Sequence, residues 1–176
     1  MYNNVTQLPY YNDGTQWLPF GGGGGGSTVL TYSLIKDDDT DIPTDTDTIL
    51  PAWDSTPTPY HDDTGSWDLT TGVYTATQAQ SVMVTANISW APNVSTIGQR
   101  FLQIIYKPAA GIAMVAKEAS TQPDPNVAHT TTQEATIVMH LAVGDQTWVV
   151  VSQSSGVTIP ISGGNETTLA GLQVLI

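Results

Sequence analysis

Acidic residues crowd a short stretch of the chain between positions 37 and 47. Carboxylate oxygens at this density are the hard ligands that Ca²⁺ requires. The candidate calcium ligands are Asp37, Asp39, Asp41, Asp45 and Asp47. The spacing, however, lacks the glycine and the terminal glutamate of an EF-hand loop. The simpler interpretation is a solvated acidic linker, extended by the repulsion between its charges.

Histidines are the other side chains that could do chemistry at neutral pH. His61 lies in a loop beside two aspartates, and His140 lies on an alternating apolar stretch. Neither these two nor His129 is set in a nucleophile–base pattern, the G-x-S-x-G elbow is absent, and there is no cysteine. We therefore predict that the protein is not an enzyme and holds no cofactor. His140 is interpreted as a packed or interface residue.

Six consecutive glycines, Gly21 to Gly26, separate the N-terminal residues from the rest of the chain. They contain a G-x-G-x-x-G pattern, but no apolar strand precedes it and no helical pattern follows, so a nucleotide-binding loop is not indicated. A glycine-rich chain of this length spans roughly 14 Å, which makes the run a flexible joint.

Aromatic residues are dense before this joint, within the first twenty positions. A disordered leader is one interpretation, because termini are usually loose. Exposed aromatic side chains at such density normally mark a contact surface, however. We therefore predict a docking arm whose contacts are made by Tyr2, Leu8, Pro9, Tyr10, Tyr11, Trp17, Leu18, Pro19 and Phe20.

Charge and hydropathy exclude several classes of partner. Sixteen acidic residues stand against four basic ones in the 176-residue chain, which gives a formal net charge of −12. Such a chain would repel a phosphate backbone, so nucleic acid is not expected as a partner. No run approaches the ~18 apolar residues of a membrane span, and the N-terminal residues lack the basic and apolar regions of a signal peptide. A soluble, β-rich module without membrane insertion is expected.

Period-two alternation predicts the strand around which the rest of the chain is organised. Positions 82, 84, 86, 88 and 90 are all apolar, as expected for the core face of a half-buried strand. Further strands are predicted at 100–107, 111–118, 130–142, 146–153 and 167–176, with a tight turn at Gly144-Asp145. We divide the chain into an arm with its joint (1–26), a short strand with an acidic linker (27–47) and an all-β head (48–176).

Four segments of this head resemble the jelly-roll domain shared by tumour necrosis factor and complement's first component. Thr71-Gly72-Val73-Tyr74-Thr75-Ala76 is similar to the family's TG-x-[FY]-T-A strand, and the long strand to Trp90 follows it. Leu141 to Val150 is similar to the L-x-x-GD-x-[VW] turn, and Leu169 to Val174 to the closing [ST]-x-F-x-G-x-L strand. The resemblance implies an antiparallel jelly-roll sandwich of about ten strands.

The resemblance also implies a homotrimer with the C-terminal strand near the three-fold axis. Closed symmetry would bury apolar strand positions beyond those that one sandwich needs. The interface residues implied in this way are Tyr74, Trp148, Leu169, Leu172, Val174 and Ile176.

The order of arm, joint, acidic spacer and head favours a structural protein of a virus. Jelly-roll trimers of this kind are familiar as bacteriophage capsid decoration (cement) proteins, head fibres and receptor-binding tips. We expect a decoration or head-fibre protein on the virion surface, assembled in the host cytoplasm, whose arm binds the major capsid protein or another virion protein. One alternative is a tail-fibre tip that binds a host surface receptor through its head loops. Another is a secreted cytokine-like trimeric ligand, for which sequons exist at Asn4, Asn87, Asn93 and Asn165.

Overall fold

The computed structural model describes residues 10–12, 17–19, 29–55, 61–62, 64–92, 97–123 and 129–175. These residues contain sixteen strands and no helix, so the prediction of an all-β fold is confirmed. No helix in this part of the chain has the length and apolar character needed to span a membrane. The strands are β1 (Tyr10–Asn12), β2 (Trp17–Pro19), β3 (Val29–Lys36), β4 (Thr40–Ile42), β5 (Thr48–Ile49), β6 (Trp53–Asp54), β7 (His61–Asp62), β8 (Trp67–Asp68), β9 (Val73–Thr75), β10 (Gln80–Trp90), β11 (Arg100–Lys107), β12 (Met114–Thr121), β13 (Thr131–Leu141), β14 (Gln146–Gln153), β15 (Ile159–Ile161) and β16 (Gly164–Leu175).

The first layer of the sandwich, which we name the front sheet, is built around β10. This strand pairs antiparallel with β13 over its whole length on one side and with β16 on the other. β3 pairs with β16, and the short strands β6 and β7 pair with β3. β15 joins the end of β10 and carries β4. The predicted alternation of β10 is confirmed, because Val82, Val84, Ala86, Ile88 and Trp90 are all buried.

The second layer, the back sheet, has the order β12-β11-β14-β9-β8, with β5 also pairing with β14. All its pairs are antiparallel. The predicted hairpin of β11 and β12 is present, and the ladder between them shifts register at Ile104/Ile105, which marks a β-bulge. Gly144, with a φ of 83°, forms the predicted turn between β13 and β14. The left-handed conformation of this residue explains why glycine precedes Asp145.

Polar side chains inside the sandwich are paired with one another. Gln80 Nε2 donates to Tyr74 Oη (2.7 Å), which donates to Gln173 Oε1 (3.1 Å). Trp90 Nε1 donates to Gln133 Oε1 (2.7 Å), and Gln133 Nε2 donates to the Arg100 carbonyl (2.9 Å). Because a buried polar group without a partner is costly, these bonds fix how the two sheets pack.

The head begins earlier in the chain than the sequence predicted. The segment 27–47 was interpreted as a short strand followed by a linker, but β3 is an integral strand of the front sheet. The acidic stretch that follows contains β4, which pairs with β15. Thr44, in the same stretch, forms an isolated bridge with Gln153. The linker interpretation is therefore corrected: main-chain hydrogen bonds tie this stretch to the sandwich.

Candidate assembly and binding surfaces

The outward side of the front sheet, which we name the front face, is broad and nearly uncharged. Its positions alternate with those of the core along four neighbouring strands. The carboxylates on this side are Glu134 and, at its margin, Glu166, which accepts a hydrogen bond from Ser89 Oγ at 3.3 Å, although the whole chain carries a net charge of −12. Depletion of charge is typical of the centre of a protein interface. The front face comprises Val29, Thr31, Ser33, Ser81, Met83, Thr85, Asn87, Thr132, Glu134, Thr136, Val138, His140, Thr168, Ala170 and Leu172.

Side-chain hydrogen bonds stiffen the front face across β10 and β13. Ser81 Oγ lies 2.7 Å from His140 Nδ1, and the hydroxyls of Thr85 and Thr136 are 3.0 Å apart. His140 is exposed, which excludes a packed role and leaves the interface role as a prediction. No carboxylate of the described residues bonds to its ring, so the Ser81–His140 pair lacks the third group that orients a catalytic histidine.

An apolar cleft borders the front face where the two sheets meet at an open edge. Within the described part of the chain, β12 pairs only with β11 and β13 only with β10, so both have a free edge on the same side of the sandwich. The cleft between them has a volume of about 250 Å³ and is lined by Tyr106, Met114, Ala116, Met139 and His140. Unpaired strand edges of this length are normally covered by another chain or by charged residues.

The outward side of the back sheet is concave. A cavity of about 380 Å³, which we name the back groove, is lined by Asp47, Ile49, Gln103, Ile105, Ala113, Met114, Val115, Trp148 and Val150. A second cleft of about 300 Å³ also contains Asp47 and is lined otherwise by Asp45, Phe101, Ser152, Gln153 and Ser154. The two outer faces of the sandwich therefore differ in both shape and chemistry.

The residues implied as a trimer interface do not share one surface. Tyr74 and Leu169 have no exposed area, because their side chains belong to the core of the single chain, and an interface role for these two is corrected to a core role. Leu172 lies on the front face, whereas Trp148 lies in the back groove on the opposite side. The side chain of Val174 and the whole of Ile176 lie outside the described residues. Leu172 and Trp148 remain predictions, and they lie on opposite sides of the sandwich.

The predicted docking arm forms a sheet of its own. Tyr10 to Asn12 pairs with Trp17 to Pro19, and this two-stranded sheet is hydrogen-bonded to neither sheet of the head. An isolated hairpin is at best marginally stable, which is compatible with a segment that needs a partner. Tyr2, Leu8, Pro9 and Phe20 lie outside the described residues, and docking remains a prediction.

The acidic stretch does not gather into a metal site. No group of three His, Asp or Glu side chains among the described residues could hold an ion. One of the candidate ligands is used structurally, since Asp39 Oδ1 accepts a hydrogen bond from the Gly163 amide at 2.7 Å. The carboxylates also lie beside Lys36, which is buried and whose Nζ lies 3.5 Å from the Ala52 carbonyl. Burial lowers the pKa of Lys36, although Asp38, Asp37 and Asp39 act to raise it.

Asp145 is a structural clamp that sequence reasoning identified only as a turn residue. Its carboxylate accepts hydrogen bonds from Tyr106 Oη (2.8 Å), the Ala109 amide (2.9 Å) and the Ala142 amide (3.0 Å). Burial acts to raise the pKa of Asp145, but the three hydrogen bonds outweigh it and hold the pKa below the ordinary value of 3.8. The carboxylate thereby ties the β13–β14 turn to the β11–β12 hairpin.

Arg100 is a buried cation with no acidic partner among the described residues. Its guanidinium lies 5.6 Å from the centre of the Trp90 ring, a cation–π distance, and Nη1 lies 3.5 Å from the Gln99 carbonyl. Nε and Nη2 have no hydrogen-bond partner in the described part of the chain. Burial lowers the pKa of Arg100.

Comparison with known proteins was informative only at the level of structure. No protein-family model matches the chain, and no curated protein matches it in sequence. Among solved structures, the chain is similar to murine APRIL determined at pH 8.0, with 12% identity and a TM-score of 0.60 over 84% of this chain and 100% of the other. It is also similar to the Eiger TNF of S. frugiperda, with 12% identity and a TM-score of 0.58 over 85% of this chain and 93% of the other. At this identity the likeness establishes the fold: the head is a jelly-roll sandwich of the tumour necrosis factor type.

Proposed function

We propose that the protein is a non-catalytic, homotrimeric virion structural protein of a bacteriophage, which decorates the capsid or forms a head fibre. In this proposal the N-terminal arm binds the major capsid protein or another virion protein, and the head projects from the virion surface. The observation that carries the proposal is the aromatic arm, which forms its own sheet before a run of six glycines and is not paired with the head.

Trimer formation is supported by the chemistry of the front face. A surface with only Glu134 and, at its margin, Glu166 in a chain of net charge −12 can meet a second copy with little repulsion. The apolar cleft at the free edges of β12 and β13 adjoins this face and offers a place for the neighbour to pack. Three arms on one trimer would then bind a symmetric particle with avidity, because each contact raises the effective concentration of the next arm.

Copy number on purified virions tests the proposal most directly. Quantitative mass spectrometry against the major capsid protein is expected to give hundreds of copies in a lattice-related ratio. A few copies in multiples of three would favour the receptor-binding tip of a fibre or spike. Absence from virions would overturn the virion assignment.

The arm can be tested separately with Trp17→Ala and Phe20→Ala in one chain. This double variant is expected to lose co-sedimentation with undecorated particles while it keeps the assembly state of the unmodified head. Unchanged binding would contradict the docking role. Leu8→Ala together with Pro9→Ala tests the first half of the arm in the same way.

A secreted, cytokine-like trimeric ligand is the second candidate, favoured by the fold that the head shares with APRIL and Eiger. Asn87 weakens this alternative, because its sequon lies in the middle of β10 on the front face. A glycan there would prevent the front faces of two copies from meeting. Expression in a secretory host followed by intact mass analysis separates the two candidates, since a glycosylated, trimeric product would favour the secreted ligand.

A further inference from the structure

The back groove has an apolar floor that no part of the described chain covers. Ile105 and Val150 point outward from the back sheet, yet they are only 7% and 6% exposed because side chains rise on both sides of them. The two walls are Ile49 and Val115, which are 44% and 50% exposed. A concave apolar surface with few polar groups is the usual form of a binding site.

Two irregularities of the back sheet build these walls. β5 pairs with β14 over two residues only, which sets Ile49 beside Val150. On the other side, the bulge in the β11–β12 ladder leaves Ala116 as the extra residue, so that Val115 lies opposite Ile105. Bulges re-aim side chains in this way, and they are frequent at functional edges.

Free acceptors lie at one end of the back groove. Asp47 lines both the back groove and the adjoining cleft, and Asp45 lines the cleft beside Phe101. Asp45 is held in place, since its amide donates to the Gln153 carbonyl at 2.7 Å and its φ is 54°. Neither carboxylate accepts a hydrogen bond within the described part of the chain. The Gln103 amide is already committed, because Nε2 donates to Glu118 Oε2 at 2.6 Å.

The occupant must therefore bring apolar side chains together with hydrogen-bond donors and positive charge. The chain's own arm supplies no cation, because residues 1–28 contain neither Lys nor Arg. A second head is disfavoured as the occupant because its four basic residues lie within hydrogen-bonded strands, where two of them, Lys36 and Arg100, are buried. The two clefts follow β14 from Trp148 to Ser154, which at 3.3 Å per residue is a length of about 20 Å.

We propose that the back groove, with its acidic end at Asp45 and Asp47, binds an extended segment of about six residues from a partner protein. In this segment apolar side chains enter the groove and Lys or Arg side chains reach the two carboxylates. The groove lies on the side of the sandwich opposite the front face. Its floor and its acidic end are thus separate from the proposed arm and from the front face, although Met114 lines both the groove and the apolar cleft.

The probe is a fluorescein-labelled synthetic octapeptide of alternating leucine and lysine, titrated with the full-length protein and followed by fluorescence anisotropy. Saturable binding with one site per chain is expected, and affinity should fall as salt rises, because the carboxylates are exposed. A leucine–glutamate octapeptide should not bind. A serine–lysine octapeptide should bind at least about tenfold more weakly, since it cannot fill the apolar floor.

Matched variants locate the binding. Val115→Ser, in the groove wall, is expected to weaken binding of the leucine–lysine peptide about fivefold or more. Val138→Ser, the same change at an exposed residue of the front face, should leave binding unchanged. Asp47→Asn should weaken binding and flatten its salt dependence, whereas Asp41→Asn, the same change on β4, should not.

Three results would overturn the inference. Equal losses in Val115→Ser and Val138→Ser would mean that the peptide binds the acidic surface without a site. Equal affinity for the serine–lysine and leucine–lysine peptides would also mean that the peptide binds the acidic surface without a site. Saturable binding of a synthetic peptide of residues 1–20, weakened by Val115→Ser, would make the chain's own arm the occupant in place of a basic partner.

Discussion

The two outer faces of the sandwich come from strands with the same period-two alternation, yet they differ in shape and in chemistry. The front face consists of four long strands whose outward side chains are mostly small and uncharged, and the register shift in their ladders lies at the margin, between Gly164 and Thr168. On the back sheet, β5 and the bulged β12 raise walls on either side of Ile105 and Val150. Strand alternation therefore decides only which side chains point away from the core. The irregular segments beside the strands decide whether the outer face becomes a flat contact surface or a groove.

The largest expected effect comes from separating β10 and β16, two paired strands of the front sheet, because this would destabilise the sandwich that carries both faces. A Cβ added at Gly171 would lie 1.9 Å from the Met83 carbonyl oxygen and 2.6 Å from Tyr32 Oη. Gly171→Ala must therefore displace β16 from β10, and we expect a loss of about 3 kcal/mol in the free energy of unfolding. Urea denaturation followed by tryptophan fluorescence measures this loss.

A second glycine provides the control for this prediction. A Cβ at Gly156 would meet nothing within 4 Å, although the φ there is 81°. Gly156→Ala should cost only the backbone strain of about 1 kcal/mol. Equal losses for the two variants would show that close approach between β10 and β16 is not what Gly171 provides.

The next effect distinguishes the faces by placing the same charge on each. Leu172→Asp puts a carboxylate on the front face and is expected to abolish the proposed trimer, because burying an unpaired charge at a contact costs about 2 kcal/mol or more. Val115→Asp puts the same charge in the back groove and should leave the trimer intact. Sedimentation velocity measures the assembly state of both variants. A stable Leu172→Asp trimer, or a dissociated Val115→Asp, would reverse the roles assigned to the two faces.

The smallest expected effect concerns Asp145, whose carboxylate ties the β13–β14 turn to the β11–β12 hairpin. The pKa of Asp145 is lowered by folding, so its contribution to stability is fully present above the ordinary value of 3.8 and is lost as the pH falls through the folded-state pKa. Asp145→Asn should thus lower stability at pH 6 by about 1 kcal/mol, the scale of one weakened charged hydrogen bond.

The pH dependence separates this clamp from a simple packing defect. The difference between Asp145→Asn and the unmodified chain should shrink as the pH is lowered from 6 to 2.5, measured by urea midpoints. A constant difference across the range would contradict a role for the carboxylate charge.

Much of the fold was predictable from the sequence because it rests on local patterns. The alternation from Val82 to Trp90 and the turn at Gly144 each follow from backbone geometry within a few residues. The segment 27–47 was misjudged because its aspartates signal a linker, while the pairing of β3 with β16 joins residues more than a hundred positions apart. Tyr74 and Leu169 were placed at an interface because an apolar strand residue does not reveal whether it faces its own core or a neighbour.

The candidate surfaces were less predictable for the same reason. The back groove is lined by residues from four segments of the chain, and no sequence period links these segments. They contribute residues 47 and 49, 103 and 105, 115, and 148 and 150. Of the residues predicted at an interface, Leu172 and His140 lie on the front face as the structure defines it. The low charge of the front face could not be predicted from the sequence, because the register of four strands determines which residues lie on the same side of the sheet.

The placement of the basic residues has a consequence for proteolysis. All four lie within strands: Lys36 ends β3, Arg100 and Lys107 bound β11, and Lys117 lies in β12. The first of them follows the arm and the glycine run, so a trypsin-like protease finds no cleavage site in those first twenty-six residues. Hydrogen-bonded strands resist cleavage until they open locally. The intact protein should therefore survive trypsin at concentrations that destroy its unfolded chain, and the arm should stay attached to the head.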